Sequence, residues 1–245
     1  MTRPLKKAGF SQGIYAINAT QKEELGTMRI LSDGRIFRYA KAGASALAAG
    51  KMGVAPAIAA DVMNEACANA HAIGDYVIEE TITSAAADYA ENHFQGGYLQ
   101  INDATGEGHQ YKIQSSTAVA TGGTSICLTL EDPIRVALVA ATSEFTIAKS
   151  PWQGVTESTT EESLPVGIAP RVVTAAYYYW AQTHGPALAL VAGTPAVGSM
   201  LTLSSTAGAL AAINATLDID QPICAISWGT VGVSGEYKPV FLRID

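Results

Sequence analysis

Along this chain apolar residues recur with a period of two far more often than with the period of a helix. In the first half, residues 76–82, 97–102, 111–114, 125–130, 136–139 and 144–148 alternate or run as short apolar stretches rich in β-branched and aromatic side chains. Such segments suit a half-buried pleated surface, and their regular short spacing, broken by polar and glycine turns, predicts a β-barrel or sandwich. The rhythm returns in residues 166–169, 177–183, 187–191, 200–203, 223–227 and 237–244. Here Pro165, Pro170, Gly185-Pro186, Gly193, Gly198, Gly208, Gly229, Gly232 and Gly235 punctuate the strands and leave no room for regular helix.

Two segments near the start read differently. Residues 28–39 give a strand–turn–strand signal in which Asp33-Gly34 predicts a two-residue type I′ turn, with Arg35, Phe37 and Tyr39 on one face of the second strand. The Ala-rich stretch 57–72 predicts a short helix, because Ile58, Val62, Ala66 and Ala70 recur at spacings of four. The expected organisation is therefore mainly β. It comprises a basic extended arm with a hairpin (1–50), a β-rich module with the Ala-rich helix (51–155), an acidic loop (156–163) and a C-terminal barrel-like module (164–245).

Composition sharpens this picture. Charged residues make up 15% of the 245 and hydrophobic ones 48%, whereas about 25% charged is usual for a soluble domain. Part of the surface is expected to be covered by partners. Residues 1–50 hold eight Lys/Arg against three acids, net +5, while the remainder holds seven against nineteen, net −12. A basic leading segment on an acidic body suggests an arm that lies on an acidic surface. The charge is too dilute to suggest direct nucleic-acid binding. Cys67, Cys127 and Cys224 are few, odd in number and set among small or apolar residues, which suits buried thiols in a reducing cytoplasm. Neither a signal peptide nor an apolar run of membrane-spanning length is evident.

Candidate chemistry is sparse. His71, His93, His109 and His184 are scattered, and no CxxC, HExxH or GxSxG occurs. Cys67 and His71, four apart, form at most half a metal site. Glu79-Glu80, Glu131-Asp132 and Glu161-Glu162 are adjacent acids, which on a strand point to opposite faces. No catalytic, cofactor-binding or metal site is expected, and the chain is read as not an enzyme. Tyr177-Tyr178-Tyr179-Trp180 is the one aromatic cluster. It places rings on both faces of a strand, as in a subunit interface or in a core with two internal faces.

Several segments together resemble the head-decoration, or cement, proteins of tailed double-stranded DNA bacteriophages. They are residues 32–43 (SDGRIFRYAKAG), 130–134 (LEDPI), 149–152 (KSPW), 180–187 (WAQTHGPA) and 235–244 (GEYKPVFLRI). The resemblance implies a small β-barrel fold of the kind called a β-tulip. It implies a virion protein on the outer capsid surface, made in the host cytoplasm, trimeric, and clamping neighbouring major capsid protein subunits against the pressure of packaged DNA. On this reading Arg35, Phe37, Arg38 and Tyr39 are the expected capsid contacts, and Tyr177, Tyr179 and Trp180 pack subunits together. The alternatives are another virion role (tail tube, fibre base or minor capsid protein) or a carbohydrate-binding module using Trp180.

Overall fold

A computed structural model of the chain describes residues 9–214, 221–229 and 233–245. Their strands are β1 (Met28–Ile30), β2 (Ile36–Ala42), β3 (Met52–Val54), β4 (Glu65–Ala66), β5 (Val77–Thr81), β6 (Tyr98–Asp103), β7 (Gln110–Ser116) and β8 (Ser125–Leu130). These are followed by β9 (Glu144–Ala148), β10 (Gln153–Glu157), β11 (Pro165–Ile168), β12 (Tyr178–Val191), β13 (Met200–Leu203), β14 (Leu210–Ala212), β15 (Ala225–Ser227) and β16 (Glu236–Arg243). The fold is mainly β, as the period-two pattern predicts.

The chain forms two compact units, and they do not follow the expected linear division. One is Ala57–Ser150; the other joins Pro151–Asp245 to the segment that ends at Pro56. The expected boundary near residue 50 and the expected inter-module loop 156–163 both fall inside this second unit, where Thr156 and Glu157 belong to β10.

The first unit is a six-stranded sheet in the order β4-β9-β6-β7-β8-β5. Its alternating inward residues, among them Ile78, Leu99, Ile101, Tyr111, Ile113, Ile126, Leu128, Phe145 and Ile147, make one core. Burying each contributes roughly 1.5–3 kcal/mol. The seam between β4 and β5 is closed by side chains. Glu65 accepts from the Thr83 N–H at 3.1 Å, Glu80 from the Ala68 N–H at 2.6 Å, and Asn69 donates to the Glu79 carbonyl at 2.7 Å. These pairs advance on one strand as they retreat on the other, so the two edges run antiparallel and the sheet curls into a nearly closed barrel.

The expected Ala-rich helix is absent. Only a single 3₁₀ turn, Ala60–Val62, forms, because the polar groups of this stretch bond elsewhere. Asp61 accepts from the Ala86 N–H and the Tyr89 hydroxyl, and Asn64 adopts a left-handed conformation at φ 56°. The Cys67 N–H goes to the Ser143 carbonyl, while His71 pairs with Leu138. With those backbone groups satisfied by distant partners, the helical spacing of small residues carries no weight. Residues 136–139 likewise form no strand, contributing that one pairing at Leu138.

The second unit consists of two closed five-stranded rings that share β12. In the first ring β2 pairs with β10, β10 with β3, β3 with β11, β11 with β12, and β12 with β2. In the second, β12 pairs with β14, β14 with β13, β13 with β15, β15 with β16, and β16 with β12. One β12 ladder passes from β2, which pairs up to His184, to β16, which pairs from His184 to Val191. Gly185-Pro186, expected to end a strand, instead lies at this handover. Gly185 has φ +88°, and a Cβ there would stand 3.3 Å from the Arg35 Cα. Gly185→Ala is therefore expected to destabilise this unit by about 1–3 kcal/mol, readable as a lowered midpoint in chemical denaturation.

The expected arm is part of this second unit. β2 is a ring strand, with Phe37 and Tyr39 fully buried. The hairpin turn is a three-residue loop: Leu31 N–H bonds the Arg35 carbonyl, Gly34 N–H bonds the Leu31 carbonyl, and only Gly34 takes positive φ. A type I′ turn needs positive φ at both central residues, and Asp33 does not adopt it. Residues ahead of β1 lie as a strap over the outer face of β2 and β12, where Phe10, Ile14 and Leu25, with Leu31 just past β1, cover Phe37, Tyr39 and Trp180. The first eight residues, with Arg3, Lys6 and Lys7, lie outside the described residues.

Candidate functional site

The residues expected to meet partners are mostly spent inside the second unit. Tyr179 points into the first ring beside Ala40, Val155 and Ala181, with Tyr177 packed against that core, while Trp180 and Tyr178 face the strap. Of the two readings of the aromatic cluster, a core with two internal faces is what the structure holds. Tyr179 and Trp180 are buried and supply no subunit-packing surface, and Trp180 is no platform for a sugar. The same burial removes Phe37 and Tyr39 from the expected capsid contacts.

Arg29, Arg35, Arg38 and Lys41 are likewise engaged within the unit. Arg38 makes a two-pronged pair with Asp245 at 2.9 Å for each bond, and its guanidinium lies 5.6 Å from the Trp152 ring centroid. Burial alone would raise the Asp245 carboxyl, yet the bonds from Arg38 and Thr183 hold it below the ordinary carboxylate value. Arg35 pairs with Asp33 at 2.8 Å, Lys41 sits 5.2 Å over Tyr178, and Arg29 donates to the Gln12 carbonyl at 2.8 Å. A basic arm free to lie on an acidic surface is not what residues 9–50 form.

Ionisable clusters serve the fold. In the first unit Glu80 is 3% exposed and accepts at once from the Ala68 N–H and from the His71 ring at 2.8 Å. Burial first, then the charge of nearby Glu80, push the Cys67 thiol up to about 12. Cys67 and His71, both buried, thus lie beside the same carboxylate. Cys224 is raised to about 12 by burial. Among the described residues no group of three or more His, Cys, Asp or Glu is placed to hold a metal ion.

His93 packs 4.6 Å from the Tyr89 ring and 4.8 Å from Phe94. Burial, helped by the charge of Lys149 and opposed by Asp61, lowers its imidazole from 6.5 to about 4. The unfolded chain therefore binds a proton here that the folded chain refuses. The stability this site contributes is complete above pH 6.5 and is lost as pH falls from 6.5 towards 4. NMR titration is expected to find the His93 ring still neutral at about pH 5.5, where an ordinary histidine is mostly protonated.

One part of the exposed surface is apolar. On the outer face of the second ring, β12 presents Pro186, Leu188 and Leu190 opposite Phe241, Pro239 and Tyr237 of β16. Leu188, Tyr237 and Phe241 are exposed, as is Met200 on β13; their inward neighbours Ala189, Val191, Val240 and Leu242 fill the ring. A cleft of about 750 Å³ adjoins this face, bordered by Tyr15, Val172, Leu188, Trp228 and Tyr237 and floored by Gly50 and Ala169. Trp228 is 61% exposed and Tyr15 54%. Tyr15, in a turn, and Trp228, just past β15, thus set large exposed aromatics at the cleft beside the apolar face. Sequence reading passed over it by treating 237–244 as one more strand. The available signal was that β16 carries large apolar residues at both parities, more than a single core can absorb.

Fold and surface together define a mainly-β protein built of small barrels, with an apolar outer face on the second ring. No protein-family model, curated protein or solved structure matches the chain.

Proposed function

We propose that this chain is a structural protein that binds the surface of a larger protein assembly through the outer face of its second ring. The assembly proposed is the head of a tailed bacteriophage, as the resemblance implies, with the major capsid protein as partner and a trimer as the binding form. The observation that carries the reading is the contiguous apolar face of Leu188, Tyr237, Pro239 and Phe241, exposed on strands whose opposite side is core. A stable interface buries roughly 1,200–2,000 Å² in total, and such a face with the neighbouring cleft is the natural centre of one. The low charge content supports the same reading.

The mechanism proposed is mass action: a protein that binds the closed shell better than its dissociated subunits stabilises the shell by its binding free energy. Rigid rings suit this role, since little ordering entropy opposes docking.

Co-sedimentation with undecorated heads of the source virus tests the proposal, alongside light scattering for the mass in solution. The wild-type chain is expected to pellet with heads and to scatter as a trimer. Leu188→Asp combined with Phe241→Asp is expected to weaken pelleting at least about tenfold, because two desolvated anchors are each replaced by a charge. Equal binding by this variant would overturn the assignment of the face, and absence of binding by the wild type would overturn the capsid role.

A further inference from the structure

The chain leaves the second unit after Pro56 and returns to it after Ser150. Within the second unit the two ends of this excursion are neighbours. β3 and β10 pair antiparallel, Val54 opposite Thr156 and Gly53 opposite Glu157, and a Cβ on Gly154 would stand 3.8 Å from the Pro56 ring. Two strands so paired are ordinarily joined by a hairpin loop of a few residues. Here the whole stretch Ala57–Ser150 takes that place. Domain insertion is tolerated at such loop positions, because a domain's own ends commonly lie close together.

Each unit closes its own core. The first unit's cluster draws only on residues from Val62 to Ile147. The three clusters of the second draw only on residues from Phe10 to Ala55 and from Trp152 to Ile244. Prolines stand at both crossings, Pro56 and Pro151, as they often do in linkers between domains.

Charge divides along the same line. Residues 57–150 hold twelve Asp/Glu against three Lys/Arg, net −9, while the rest of the chain holds ten against twelve, net +2. In the folded chain the negative charge therefore belongs to the first unit. Its exposed Ile73, Tyr76 and Val77 are interleaved with Asp75 and Glu79, whereas the centre of an interface is poor in charge. The outward run on β12 and β16, from Pro186 to Leu190 and from Tyr237 to Phe241, carries no charge on its exposed face.

We infer that the first unit is an inserted domain, carried in place of a β3–β10 hairpin loop, which unfolds independently of the second unit and takes no part in docking. The last of these statements rests on the docking reading above; the others do not.

Hydrogen exchange on the full chain, followed peptide by peptide through sub-denaturing urea, tests the inference. The slowest amides of β6, β7, β8 and β9 are expected to merge into one opening isotherm, and those of β2, β12 and β16 into another. Glu80→Ala is expected to speed the first set at least about a hundredfold. It should change the second set by less than about twofold, since the two cores share no residue. A single isotherm common to both sets, or a variant that speeds both alike, would overturn independence. Undecorated heads test the remainder. On binding, amides of β12 and β16 are expected to slow, while those of residues 57–150 keep their rates within about twofold. Slowing within 57–150 would overturn the division of roles and leave docking standing. No binding at all would remove the docking reading and the statement that rests on it, and the inserted domain would then stand or fall on the urea isotherms.

Discussion

Trp180→Ala is expected to cost the second unit about 3–5 kcal/mol, the range for removing a buried tryptophan. The side chain is fully buried, stands edge-on to Phe10 at 5.3 Å and to Tyr39 at 5.1 Å, and donates its indole N–H to the Gln12 carbonyl at 3.1 Å. Arg29 lies over the same ring at 5.7 Å. The substitution therefore removes both the hydrophobic floor under the strap and one of its anchoring bonds. The strap carries a polar network centred on Gln12, whose side chain accepts from Asn18 and the Tyr39 hydroxyl and donates to the Ala16 carbonyl. Freed from Trp180, that network is held to β12 at the strand's first residue, Tyr178, through Gln12 and Asn18. Hydrogen exchange read on peptides should show loss of protection in residues 10–31, with the first unit unchanged. Trp180→Phe keeps most of the packing and is expected to lose clearly less, since Arg29 still donates to the Gln12 carbonyl. Native-like protection of the strap in Trp180→Ala would refute this picture.

Glu80→Ala is expected to destabilise the first unit by about 3–5 kcal/mol, as when one partner of a buried ionic cluster is removed. The carboxylate holds the Ala68 N–H and the His71 ring at the seam where β4 and β5 lack a continuous ladder. Without it, the His71 ring stays buried with no acceptor, the Ala68 N–H loses its partner, and the barrel opens along that edge. Glu80→Gln keeps the shape and one acceptor oxygen, and is expected to lose less. The amide of Ala68 reports directly: its exchange should approach the unfolded rate in Glu80→Ala, while amides of the second unit keep theirs. A loss below about 1 kcal/mol, ordinary for a surface carboxylate, would mean that the seam closes without Glu80.

The conditions under which sequence reading succeeds are visible in individual elements. β8 and β9 were expected over the very residues they occupy, because in each the alternation continues until a turn residue ends it. The Ala-rich segment misled because alanine at spacings of four suits a helix and an extended strip equally. Its conformation follows from whether Ser143 and Leu138 stand close enough to take its backbone bonds. β2 misled in another way. Phe37 and Tyr39 on one strand face announce that something covers them, and that cover proved to be Phe10, Ile14 and Leu25 of the same unit rather than a capsid. The candidate surface was legible only in retrospect, through Tyr237, Pro239 and Phe241 opposing Val240 and Leu242.

By itself the sequence determined the β class, the positions of most strands and turns, and the presence of more apolar surface than one core needs. These are local properties, set by side-chain shape, backbone freedom and a period of two. Only the tertiary structure decided that β12 would serve two rings, that residues 10–42 would belong to the unit formed by residues 151–245, and that Trp180 would be buried while Trp228 is exposed. Burial belongs to a pair of surfaces, and a strand with apolar residues on both faces does not specify which face the rest of the chain will cover.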